Sequence, residues 1–225
     1  TVWHDKCAMK VGTDGVLLGA WTLVESAHRI LDIGTGTGLV ALMLAQRSLP
    51  DANIVALEID EAAVGQAREN IIRSPWKERV EVVQADFKKY RSSDKFDVIV
   101  SNPPYFVDSL ECPDRQRAAA RHNDSLTYED LLEGVSGLLA EDGFFTMVIP
   151  ADVAERVKKI AYMRKLYAVR QLNVITKPGG IPKRVLITFS FSNQECIVEE
   201  LLTELARHQY SEEYMTLTRD YYLNM

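Results

Sequence analysis

Arg29-Ile30-Leu31-Asp32-Ile33-Gly34-Thr35-Gly36-Thr37-Gly38 is a short, mostly apolar run that passes directly into alternating glycines. The first half reads as a buried strand. Residues 39–46 then carry a helical pattern. Strand, glycine-rich turn and helix form the first unit of a nucleotide-binding α/β fold. Glycine permits the tight turn and lets a ligand approach the backbone closely. The spacing here is Asp-x-Gly-x-Gly-x-Gly. A dinucleotide turn reads Gly-x-Gly-x-x-Gly and aims a helix N-terminus at a pyrophosphate. Asp32, just ahead of the turn, would repel that phosphate and attract a cationic amino group.

That preference points to S-adenosylmethionine, which carries an ammonium and a positive sulfonium. Asp32, Gly34, Gly36 and Gly38 are the first candidate cofactor contacts. Residues 53–58 form a second strand ending in Glu58. An acid about 20 residues beyond the turn reaches ribose hydroxyls. Residues 60–72 read as an amphipathic helix capped by Asp60. A third strand over 79–84 leads to Asp86, placed to accept the exocyclic amine of the cofactor adenine. Ahead of the first strand, Gly12-Thr13-Asp14-Gly15 turns into a helix over 16–24, with Thr13 or Asp14 as its cap. This helix either covers the sheet edge or turns Thr13 and Asp14 into the cofactor cleft. The glycines do not decide between the two.

A fourth strand, 96–101, ends at Asn102-Pro103-Pro104-Tyr105. Each proline fixes its own φ and biases the residue before it toward extended backbone. A stiff corner therefore stands at a strand C-terminus, where α/β sheets bind ligands. The Asn102 side-chain oxygen and the Pro103 carbonyl can each accept one hydrogen of an amine. That geometry favours a pyramidal nitrogen with its lone pair aimed at a methyl donor. Tyr105 can stack on a base, an interaction worth ~1–3 kcal/mol. Asn102, Pro103 and Tyr105 are the candidate catalytic residues. No His or Cys base is required, because the amine becomes acidic once methylated.

Residues 106–123 lack a clean period and read as a functional loop. A helix over 124–139, a strand over 143–149 and a helix over 151–165 follow. The strands 168–175 and 184–191 are joined by a short helix-free connection, so they are antiparallel neighbours. The tail reads as a short helix over 199–207 and an amphipathic segment over 210–222 that docks on the body.

The chain has 225 residues, long enough for one good core. A single domain over 1–225 is expected, with a cofactor-covering segment (1–28), a cofactor-binding half (29–150) and a substrate-side half (151–225). No apolar run is long enough to span a bilayer. Three scattered cysteines and no His cluster indicate neither a metal site nor a disulfide framework. A reducing cytoplasm is the expected location. The net charge of −6 runs mildly against nucleic acid. Even so, Arg156 to Arg170 is a basic run without acid, and Arg115, Arg117 and Arg121 follow the corner. Together these suggest a positive rim for phosphates on the strand-end side of the sheet.

The glycine turn with Glu58, Asp86 and Asn-Pro-Pro-Tyr resembles the class I S-adenosylmethionine-dependent methyltransferases that act on amino groups. More narrowly, residues 7–15, 74–76, 101–105 and 182–186 resemble the bacterial tRNA(Val) adenine-37 N6-methyltransferases, as does the tail 210–214. The resemblance covers nearly the whole chain, although that family carries a further Phe- and Lys-containing segment ahead of the Trp3 position. It implies a Rossmann-like, mostly parallel seven-stranded sheet with helices on both faces and an antiparallel last strand. It assigns Gly34, Gly36, Glu58 and Asp86 to S-adenosylmethionine, with Thr13 and Asp14 lining that pocket. Asn102, Pro103 and Tyr105 take the target adenine, and tRNA is the expected partner of a monomer. A protein-glutamine methyltransferase shares the Asn-Pro-Pro-Tyr corner, and a ribosomal-RNA guanine methyltransferase is a second rival. A non-catalytic nucleotide-binding module or a dinucleotide oxidoreductase is the alternative from another class.

Overall fold

Successive residues of a strand point to opposite faces, so each central strand of this sheet feeds two cores. The computed structural model describes residues 1–5, 11–103, 126–207 and 209–222. In it, β1 (Arg29–Ile33) sends Ile30 to one core, and Leu31 and Ile33 to the other. β4 (Phe96–Ser101) separates Val98 and Val100 from Ile99 in the same way. β5 (Leu139–Pro150) separates Val148 from Met147 and Ile149. The first core is closed by α1 (Thr13–Trp21), α2 (Leu39–Arg47) and α6 (Glu212–Thr218). The second is closed by α4 (Tyr128–Leu138) and α5 (Ala154–Tyr162). Strands that are apolar on both faces require this double cover.

The remaining strands of this sheet are β2 (Asn53–Glu58), β3 (Val80–Gln84), β6 (Tyr167–Ile175), β7 (Arg184–Ser190) and β8 (Ile197–Leu202). Their order in the sheet is β3-β2-β1-β4-β5-β7-β6-β8. β7 is antiparallel to both of its neighbours, and every other pairing within this sheet is parallel. The chain winds outward from β1 to β3 and then returns to β4 on the other side of β1. This reversal opens a crevice at the C-terminal ends of β1 and β4.

The mostly parallel, Rossmann-like architecture matches the expectation, with two corrections in the tail. The sheet has eight strands, and the segment expected to be a helix over 199–207 is extended. Its glutamates favour helix locally, but β6 presents an outer edge of backbone groups that need partners. β8 supplies them from Arg170↔Ile197 to Ile175↔Leu202, and Leu201 is buried in the first core. Tertiary pairing overrides the local preference. As expected, the last segment docks: Tyr214 on α6 is buried in the first core.

Helix starts also moved. Gly12, not Thr13 or Asp14, is the N-cap of α1, and its backbone is extended. α4 starts at Tyr128 because Thr127 and Asp130 form a reciprocal capping box. Asp60 caps α3 (Glu61–Ile72) as expected, accepting from Ala63 N at 2.8 Å.

Candidate active site

A cavity of about 640 Å³ occupies the crevice at the strand ends. That size suits a nucleoside-containing cofactor, within the ~300–1,000 Å³ common to small-molecule sites. Thr13, Asp14, Asp32, Gly34, Gly36, Glu58, Asp86, Asn102 and Pro103 all stand on its wall. Gly38 does not: it is the left-handed N-cap of α2 (φ 81°) and lies against Ala67 of α3. Pro104 and Tyr105 lie outside the described residues, as do Arg115, Arg117 and Arg121.

The glycine turn is held by backbone bonds to the end of β2. Gly34 N and Thr35 N both donate to Leu57 O at 2.9 Å. Gly34 and Gly36 adopt φ of 73° and 56°, a region costly for residues with a Cβ. Gly36 N donates to Glu58 Oε2 at 2.9 Å, while Ile59 N and Asp60 N donate to Oε1. The Glu58 carboxylate is thereby oriented at the cavity wall.

Asp32 is buried behind the turn. Its Oδ2 accepts from Thr35 Oγ1 at 2.6 Å and from Ala41 N at 3.2 Å. Burial dominates those bonds and pushes its carboxyl up to about 7. A cation arriving on this wall would favour the ionised form. Asp86 Oδ1 accepts from Lys88 N, which fixes its side chain at the end of β3.

The corner after β4 is anchored by Ser101, whose Oγ donates to Ile33 O at 3.0 Å. Asn102 follows, and its buried Oδ1 has no hydrogen-bond partner among the described residues. An unpaired buried acceptor costs about 1–3 kcal/mol, so such atoms are rare and call for an explanation.

Sequence reasoning missed several wall residues. Ile59 lines the cavity yet is 60% exposed, and Leu126 adds further apolar wall. Ile59 directly follows the strand-end acid, a position that could have drawn notice. Asn70 on α3 gave no signal at all. Its Nδ2 donates to Thr37 O and Trp3 O, and its Oδ1 accepts from Trp3 N, each at 2.8 Å. One buried amide thus ties the glycine turn to the N-terminal segment, where Arg73 also lies 4.2 Å over the Trp3 ring.

The expected basic rim is largely redistributed. Arg156 pairs with Glu129, Lys158 with Glu155, Arg164 with Glu133 and Arg170 with Glu199. The run also descends α5 and re-enters at the start of β6, leading away from the strand ends.

A sequence model of the methyltransferase small domain matches residues 12–171. The chain belongs to this family. It is similar over its length to proteins named tRNA1(Val) (adenine(37)-N6)-methyltransferase. That of Bacteroides thetaiotaomicron is 77% identical, covering 100% of this chain and 95% of the relative. Those of Parabacteroides distasonis (50%; 100% and 95%) and Yersinia enterocolitica (43%; 99% and 90%) match similarly. The motif resemblance is therefore borne out. Among solved structures, a "predicted O-methyltransferase" of Agrobacterium tumefaciens superposes with TM-score 0.71 at 20% identity, covering 92% of this chain and 96% of that one. A ribosomal protein L11 methylase of Lactobacillus delbrueckii gives 0.59 at 15%, covering 83% and 82%. These two share the methyltransferase fold.

Proposed function

We propose that this chain is a single-domain, cytoplasmic, S-adenosylmethionine-dependent methyltransferase that modifies N6 of adenine-37 in tRNA1(Val). The observation that carries the reading is Asn102, a residue of the cavity wall whose side-chain Oδ1 has no partner among the described residues and can accept an amine hydrogen. The names of the full-length relatives support the same substrate.

The donor set on the wall fits the cofactor. Asp32 and Asp14 suit an ammonium, Glu58 a vicinal diol, and Asp86 the adenine amine. Ile59 and Phe87 offer apolar faces to its ring. When bound, S-adenosylmethionine supplies an electrophilic methyl group on a sulfonium. Asn102 Oδ1 and Pro103 O each accept one hydrogen from the target N6. They hold the nitrogen pyramidal, with its lone pair in line for displacement. Tyr105 stacks on the splayed adenine. The surplus amine proton passes to solvent, so the chain needs only to position the two partners.

Single-turnover methylation of a valine tRNA transcript, followed by nucleoside analysis, tests the reading. N6-methyladenosine at the position beside the anticodon is expected. Label found in glutamine of a protein, in guanine, or nowhere overturns it.

A further inference from the structure

The substrate must reach the Asn102 corner from the side that the cofactor leaves open. In the reading above, the cofactor lies over β1 to β3, against Asp32, Glu58 and Asp86 of the cavity wall. The free approach therefore lies over β5, β7 and β6. Because β6 runs parallel to β5, its connection to β7 emerges at the same sheet edge as the cavity. That connection, residues 176–183, runs from the end of β6 to the start of β7, three and two strand spacings from the corner, or about 10–15 Å.

Its base is rigidly set. Lys183 N donates to Val174 O at 3.1 Å, Lys183 O accepts from Ala151 N at 3.2 Å, and Gly180 N donates to Lys177 O at 3.0 Å. Pro178 and Pro182 stiffen the rest. At its tip, Ile181 is 71% exposed, with exposed Lys177 and Lys183 on either side. Among the described residues neither lysine makes an ion pair, in contrast to Arg156, Lys158, Arg164 and Arg170. The segment contains no acid.

An exposed isoleucine alone is ordinary. On a stiff loop between two exposed lysines, at the same sheet edge as the reaction centre, it has the chemistry of a wedge against unstacked bases with phosphate contacts on its flanks. We infer that the 176–183 loop is the RNA-docking element: Lys177 and Lys183 take phosphates of a single-stranded loop, and Ile181 packs against a base next to the splayed target. This inference rests on the tRNA reading above.

The test compares the parent with Lys177→Ala/Lys183→Ala and with Ile181→Ser. The probes are a valine tRNA transcript, for affinity across salt and single-turnover methylation, and S-adenosylmethionine calorimetry. Cofactor affinity should match the parent in both variants. The lysine variant should bind tRNA about tenfold more weakly, with its salt slope reduced by about 1–1.5. Ile181→Ser should lose about fivefold in tRNA affinity with the slope unchanged. Parental tRNA binding by either variant, from a parent that methylates the transcript, overturns the inference alone. A parent that does not methylate tRNA overturns the reading and the inference with it.

Discussion

Arg184 Nε donates to Asp14 Oδ2 at 3.0 Å, across 170 positions of sequence. The first residue of β7 thereby holds the first turn of α1 on the cavity wall. Both side chains are only partly exposed, at 33% and 24%. Arg184→Met should lower stability by less than about 1 kcal/mol, as expected of a pair near the surface. Its effect on the cofactor should be larger, about threefold to tenfold in affinity, because Asp14 is no longer oriented. Calorimetry alongside thermal melting separates the two, and unchanged affinity would make the pair purely structural.

Asn102→Ala should reduce turnover at least ~100-fold, about 2.7 kcal/mol of barrier, with little change in cofactor affinity. It should leave the melting temperature unchanged or raise it, since the substitution removes a buried acceptor that has no partner among the described residues. Single-turnover rates with a valine tRNA transcript check this. A parental rate would reduce the corner to a structural role. For Tyr105, the Phe variant should keep most activity and the Ala variant should not, if stacking is what the ring provides.

Gly36 has φ 56°, and among the described residues beyond its chain neighbours no atom lies within 4 Å of where a Cβ would stand. A clash within the protein therefore does not arise. Gly36→Ala should cost about 1–2 kcal/mol of stability from left-handed backbone and weaken S-adenosylmethionine by more than tenfold, because the methyl group borders the cavity. A variant that binds the cofactor as the parent does would move the site elsewhere.

Gly19 sits where α1 crosses α2, and an added Cβ would lie 2.7 Å from Met43 Sδ and 2.9 Å from Met43 Cβ. Alanine gains up to about 1 kcal/mol of helix propensity, whereas overpacking costs about 1–3 kcal/mol. Met43 Cβ cannot swing away, so overpacking wins. Urea denaturation of Gly19→Ala should show a net loss of about 1–2 kcal/mol.

Burial raises the Asp32 carboxyl from 3.8 to about 7 in the folded chain. The folded state then binds more protons than the unfolded one between those values. The stability from protonated Asp32 is fully present below about 4 and is lost as pH rises through about 7. Asp32→Asn should flatten that part of the stability curve, measured by urea titration at about pH 5 and about pH 8. If the slope persists in the variant, another group is responsible.

The sequence by itself determined the Rossmann-like order of strands and the residues at their ends. Apolar runs of strand length, Gly34 to Gly38, and the acids Glu58 and Asp86 are local signals, and strand-end residues share one sheet edge whatever else happens. Asn102 could be named for the same reason. Only the tertiary structure decided the rest, because the rest depends on partners distant in sequence. Glu199 to Leu202 became a strand because β6 had an open edge to satisfy. Asn70 became a tie between Trp3 and Thr37 through contacts that no local pattern encodes. The basic run from Arg156 to Arg170 lost its apparent isolation when Glu129, Glu133 and Glu199 folded against it. Charge is additive along a sequence, but its effect is set by distances in space, and these exist only once the chain has packed.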